Sequence, residues 1–239
     1  MKNEWKMKRL VVFDLDGTLA EIGEAVKAEN VDKLKEIERY ADVAICSGKP
    51  IYYLCGLTRQ LGLKKPIHIG ENGAVICFGY DLPPSRYERV KVDKNTKSLL
   101  AKLRDEIEER LGDGVWFQPN EVALTPFPRG EREWEILDEI VQDYSSALHG
   151  VNVYRQCDCY DFCPCDIDKA VGVKKVMTYL GVSKEGLWVV GDGNNDHSML
   201  SLTDNSYGID MQVKSVAKIN CNSVDEALDA ILASLKYDN

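Results

Sequence analysis

Apolar residues recur along this chain in two rhythms, and the change between them divides it. Residues 10–13 and 43–46 are uninterrupted apolar runs, as expected of parallel strands covered on both faces. Residues 67–69 read as a further short strand. Between these, residues 30–40 bring Val31, Leu34 and Ile37 to helical spacing, and 54–61 read as a second helix. A β-α-β-α-β order implies an α/β fold with a doubly wound, mainly parallel sheet.

The rhythm changes after Pro83 and Pro84. A strand is expected over 89–92, then an amphipathic helix over 96–111 with Leu99, Leu103, Ile107 and Leu111 on one face. Residues 115–118 and 122–126 read as a hairpin around Pro119-Asn120. A helix over 131–148 aligns Trp134, Leu137, Ile140, Tyr144 and Leu148, and a closing hairpin joins 151–154 to 160–163. From Asp166 the first rhythm returns, with a helix over 171–180, a strand over 187–190, a short helix near Met199, a strand over 206–209 and a last helix over 224–235. The expected organisation is an α/β core of residues 1–83 and 166–239, interrupted by an inserted α+β unit over 84–165.

Composition narrows the function classes. The chain has 239 residues, 29% of them charged, and a formal net charge of −9. A surface of that sign has no basic patch to exchange for the counterions of nucleic acid or anionic membrane. No apolar run approaches the ~20 residues of a membrane span. Residues 1–10 are polar and basic, unlike a secretory signal, so a cytoplasmic protein is expected, monomer or homodimer. An anionic substrate would need local positive charge, which a divalent cation supplies. The eight cysteines are then reduced thiols. Cys46, Cys55, Cys77 and Cys221 stand singly in apolar surroundings and are expected to fill the core. Cys157, Cys159, Cys163 and Cys165 form a C-x-C-x3-C-x-C cluster, either strand thiols of a short hairpin or a structural metal site. His68, His149 and His197 stand at no catalytic spacing.

Four constellations follow apolar strands or open helices. Asp14-Leu15-Asp16-Gly17-Thr18 leaves the first strand at the edge where parallel sheets bind ligands, and its two carboxylates suit Mg²⁺. Gly191-Asp192-Gly193-Asn194-Asn195-Asp196 leaves the strand at 187–190, with Asp192 and Asp196 on one face of a helix start. Alone, each reads equally as a turn or a capped helix. Together, carboxylates converging on one crevice repel unless a cation sits among them. Ser47-Gly48-Lys49 offers a hydroxyl and backbone N–H groups as an anion nest. Lys169 opens a helix from which it reaches a phosphate as a point charge, or is one of many surface lysines.

In this order the four constellations resemble the four motifs of the haloacid dehalogenase superfamily: Asp14-Leu-Asp-Gly-Thr-Leu, Ser47, Lys169, and Gly191-Asp192-Gly-Asn-Asn195-Asp196. Lys169-Ala-Val-Gly-Val is similar to a segment of archaeal-type phosphoglycolate phosphatases, with Ala170 in place of the usual glycine. Residues 69–74, Ile-Gly-Glu-Asn-Gly-Ala, resemble a segment of the large-cap subgroup, whose α+β cap the inserted unit would be. The resemblance implies a Mg²⁺-dependent phosphatase acting on a small phosphorylated metabolite, a sugar phosphate or phosphoglycolate-like. Asp14 would be the nucleophile and Asp16 the general acid and base. Ser47, Gly48, Lys169 and Asn195 would hold the phosphoryl group. Asp14, Asp16 (through its backbone carbonyl), Asp192 and Asp196 would surround the metal. A phosphomannomutase-like enzyme is the alternative, and it needs cap arginines for a second phosphate. A non-catalytic binding module would be expected to lack Asp14 or Asp16. The cap lining is expected among Phe117, Asn120, Thr125 and Tyr160.

Overall fold

The computed structural model describes residues 7–209 and 213–237, and most of the polar N-terminal stretch lies outside them. In chain order the first elements are β1 (Leu10–Phe13), α1 (Ala28–Ile37), β2 (Asp42–Cys46), α2 (Ile51–Leu61), β3 (Ile67–Gly70), β4 (Val75–Phe78) and β5 (Arg86–Arg89). There follow α3 (Lys94–Leu111), β6 (Val115–Phe117), β7 (Pro126–Pro128), α4 (Glu131–Tyr144), β8 (Val151–Arg155) and β9 (Tyr160–Pro164). The chain closes with α5 (Lys169–Leu180), β10 (Leu187–Gly191), α6 (His197–Leu200), β11 (Ser206–Gly208), β12 (Ile219–Asn220) and α7 (Val224–Tyr237).

Eight strands form one sheet in the order β12-β11-β10-β1-β2-β3-β4-β5. The first six are parallel; β4 runs antiparallel to β3, and β5 antiparallel to β4. Strand alternation explains the unbroken apolar run of β1: Val11 and Phe13 join one core with Leu34, Ile37, Leu54 and Ile231, while Leu10 and Val12 join the other with Val173, Val176 and Met199. With helices on both faces, the central strands carry no solvated side. Their carboxyl ends, where Asp14 and Gly191 leave the sheet, are where a parallel sheet gathers its ligand-binding polar groups.

Between β5 and α5 a smaller unit builds its own core from Leu103, Ile107, Leu137, Ile140 and Phe162. Asp93 caps α3 by accepting from the Asn95 and Thr96 N–H groups. Helices α3 and α4 cover two hairpins, β6-β7 and β8-β9, which the reciprocal bonds between Leu124 and Phe162 join.

Two expectations from the sequence require correction. The strand expected over 89–92 runs over Arg86–Arg89 and is the edge of the large sheet, paired with β4. It belongs to the large layer because β4, unread in the sequence, turns the chain back beside β3 and leaves an antiparallel edge to fill. The second strand of the 115–126 hairpin is β7, displaced toward the C-terminus, with Val115 opposite Pro128. Residues 121–123 are unavailable to that hairpin because their N–H groups donate to the Glu71 carboxylate.

Candidate active site

β1 ends at Phe13 and delivers Asp14, β10 ends at Gly191 and delivers Asp192, and the first residue of α5 is Lys169. Lys169 Nζ donates at 2.6 Å to Asp14 Oδ1 and at 2.6 Å to Asp196 Oδ1. The lysine is 1% exposed, so its reading as a surface residue is set aside. Desolvation opposes its charge, yet the two carboxylates hold its pKa well above the ordinary value. Asp196 Oδ2 accepts from the backbone N–H groups of Asp192 and Gly193. Both oxygens of Asp196 are thus engaged by protein donors, and the residue stands behind the cavity wall.

Asp14, Asp16 and Asp192 line a cavity of about 370 Å³, with Ser47, Gly48 and Asn195 also on its walls. One carboxylate oxygen from each of Asp14, Asp192 and Asp196 falls within 4.8 Å of the others. Burial raises Asp14 and Asp196 to about 6 against the attraction of Lys169, and burial also raises Asp192. Three carboxylates around one lysine leave an excess of negative charge in a desolvated site. Hard oxygen donors at that spacing fit Mg²⁺, and of the three residues Asp14 and Asp192 face the cavity. The Asp16 carboxylate is elsewhere, with Lys49 Nζ 3.4 Å from its Oδ2.

Ser47 Oγ accepts from the Lys49 N–H at 3.2 Å, and Gly48 contributes its carbonyl to Gln118 Nε2 at 2.9 Å. Asn195 donates to Asn72 Oδ1 at 3.4 Å, and Asn72 donates to Asp161 Oδ2 at 3.1 Å. That chain of bonds runs from the β10 loop to β9 of the smaller unit. Of the four lining residues expected from that unit, Thr125 lines the cavity and donates to Asp161 Oδ1 at 2.8 Å. Asn120 supports Thr125 by donating to its hydroxyl. Phe117 instead lies under the Arg104 guanidinium, and Tyr160 donates to Asp138, so neither reaches the cavity.

Sequence reasoning missed Thr18, whose hydroxyl donates to Asp192 Oδ1 at 2.5 Å, and the side chains of Lys49, Gln118 and Asp161. Thr18 and Lys49 had a signal, since they end the Asp14–Thr18 and Ser47–Lys49 segments; Gln118 follows β6 and Asp161 depends on which face of β9 looks inward. Arg155 is the one arginine among the cavity-lining residues, and its guanidinium is bound to Asp138. In the cysteine cluster, Cys157 and Cys159 line the cavity while Cys163 is buried beside Asn72 and Cys165 is exposed. Of the four thiols only Cys163 lies within a strand, and the others flank β9 in the turns on either side of it.

The family described as haloacid dehalogenase-like hydrolase matches residues 11–124 and 130–235. A phosphoglycolate phosphatase of Methanopyrus kandleri is 26% identical over 202 residues, 81% of each chain. A 5-amino-6-(5-phospho-D-ribitylamino)uracil phosphatase of Bacillus subtilis is 23% identical over 95% of this chain and 96% of its own. A solved haloacid dehalogenase-like hydrolase from Bacteroides thetaiotaomicron superposes with a TM-score of 0.75 at 19% identity, covering 96% and 99% of the two chains. With its family pattern matched across nearly the whole length and its fold shared, the chain belongs to the haloacid dehalogenase-like hydrolases.

Proposed function

We propose that this phosphatase hydrolyses a small phosphorylated metabolite, a sugar phosphate or a phosphoglycolate-like acid, through an aspartyl-phosphate on Asp14. One observation carries the reading: a buried lysine bridges the cavity-facing Asp14 to Asp196 beneath a polar cavity. A cavity of about 370 Å³ is at the small end of ligand sites, which favours a metabolite over a polymer. Relatives that act on phosphoglycolate and on a ribityl phosphate point the same way.

Asp14 attacks phosphorus with the oxygen that Lys169 leaves free, and the bond from phosphorus to the leaving oxygen breaks. Lys169 keeps one Asp14 oxygen fixed, so the other has one direction of approach. Asp16 protonates the leaving oxygen. As a carboxylate it then takes a proton from water, whose oxygen attacks the aspartyl phosphorus and releases Asp14 and inorganic phosphate. Lys49, 3.4 Å from Asp16, holds that carboxyl at the cavity wall. Ser47 and the Gly48 turn bind the phosphoryl oxygens, with Asn195 opposite. Mg²⁺ on Asp14, Asp192 and the Asp16 backbone carbonyl would neutralise charge on the transferring group.

Asp14→Asn is expected to lower turnover roughly 10⁴-fold or more, the scale of losing a covalent nucleophile. The measurement is phosphate release from a panel of phosphorylated metabolites with Mg²⁺. Retained turnover in a folded Asp14→Asn protein would overturn the assignment.

A further inference from the structure

Cys55, His68 and Cys77 lie on α2, β3 and β4, and the fold brings them together away from the active site. His68 on β3 and Cys77 on β4 are direct cross-strand partners on one face of the sheet. Cys55 comes down onto that face from α2. Its Sγ is 3.6 Å from His68 Nδ1, and one ligand atom from each of the three residues falls within 4.8 Å of the others. Tetrahedral zinc, with Zn–S near 2.3 Å and Zn–N near 2.05 Å, sets neighbouring sulfur and nitrogen ligands about 3.6 Å apart.

The imidazole is oriented for a ligand. Thr58 Oγ1 sits 3.0 Å from the Leu54 carbonyl and 2.7 Å from His68 Nε2. A hydroxyl has one proton, which goes to the Leu54 carbonyl, so Nε2–H donates to the Thr58 oxygen. Nδ1 is left as a lone pair facing Cys55 Sγ. An outer partner that fixes the tautomer is what metal-bound histidines have. His68 is 0% exposed, so without a ligand that lone pair has only weak thiol partners. Both sulfurs open on an apolar cleft of about 450 Å³ walled by Tyr52, Leu82 and Tyr87, which shares no lining residue with the active-site cavity.

We propose that Cys55, His68 and Cys77 form a binding site for a borderline-soft divalent cation, Zn²⁺, with its fourth position open to the cleft between α2 and residues 80–87. Binding displaces both thiol protons to solvent, and the two thiolates and the imidazole exclude Mg²⁺, which prefers oxygen.

The test uses the full chain, reduced, stripped with chelator and titrated anaerobically with Co²⁺ while Mg²⁺ is saturating. A single equivalent is expected to give a thiolate-to-cobalt charge-transfer band and the visible bands of a tetrahedral ion, both abolished by Zn²⁺. Cys55→Ser with Cys77→Ser is expected to lose the band and keep Mg²⁺-dependent phosphatase activity. Cys157→Ser with Cys159→Ser is expected to keep the band. Thr58→Val, which leaves every ligand in place, should weaken Zn²⁺ binding about 10- to 100-fold. A folded wild-type protein without the band overturns the proposal, and so does a band that survives in the Cys55/Cys77 variant. Loss of both thiols to a disulfide under reducing conditions does the same.

Discussion

Gly17 adopts φ +87 in the turn after Asp16, and a Cβ built there runs into the Asp192 carboxylate. The backbone of the nucleophile turn and the opposite acid are in direct contact. Only glycine combines the left-handed conformation with that approach. Gly17→Ala should displace Asp192 from Thr18 and from the proposed metal. Turnover is expected to fall about 100-fold, the loss that follows a misplacement of about 1 Å, with a smaller change in Tm. A kcat and Tm measurement on the purified variant checks this. At this scale the sequence was most legible, because Asp14, Asp16, Asp192 and Asp196 lie next to apolar strands that fix which edge they leave. Lys169 was legible only in company. Its burial follows from two partners that are 155 and 27 residues away.

The turn between β3 and β4 shows what an element does that its sequence does not announce. Glu71 and Asn72 both hold positive φ, +51 and +53, a conformation that costs non-glycine residues of order 1–3 kcal/mol each. The turn aims Glu71 at the N–H groups of Glu121, Val122 and Ala123 and Asn72 at Asp161. The large layer thereby grips the loop that carries Gln118 and Thr125 to the cavity. Glu71→Gln keeps the size but leaves backbone donors facing an amide N–H₂. The expected cost is about 2 kcal/mol of stability, hence a Tm drop of roughly 4–8 °C in a chain this long, with KM raised more than kcat is lowered. Calorimetry and steady-state kinetics decide it. The strands with two buried faces were readable from their apolar runs, whereas β5 was misplaced because Arg-Tyr-Glu-Arg has no alternation to read. β4 was missed because only residues 71–74 separate it from β3. The meeting of Cys55, His68 and Cys77 was equally hidden, since β4 itself was.

For the molecule as a whole, charge and metal are linked through protons. Asp14 and Asp196 are raised to about 6 in the folded protein, above the ordinary carboxylate value of 3.8. The stability that comes with their protonation is complete below the unfolded value and is lost as pH rises through about 6. The proposed Mg²⁺ would take the place of the proton on Asp14. Its addition at about 100 times its dissociation constant should therefore stabilise the chain by about 2.7 kcal/mol near neutral pH, and by much less near pH 5. Thermal melts with and without chelator at the two pH values check the sign, and an equal Mg²⁺ effect at both would contradict it. The sheet that organises all this ends on one side in β12, two residues long, and on the other in β5. There Arg86 lies over Tyr179, Glu88 is bound by Lys175 and Tyr179, and Arg89 is bound by Glu121. A stray strand from another copy thus meets either a ladder too short to hold it or a border of pinned charges. The same polar edge that obscured β5 in the sequence guards the protein against fibrillar stacking during the moments when its layers are open.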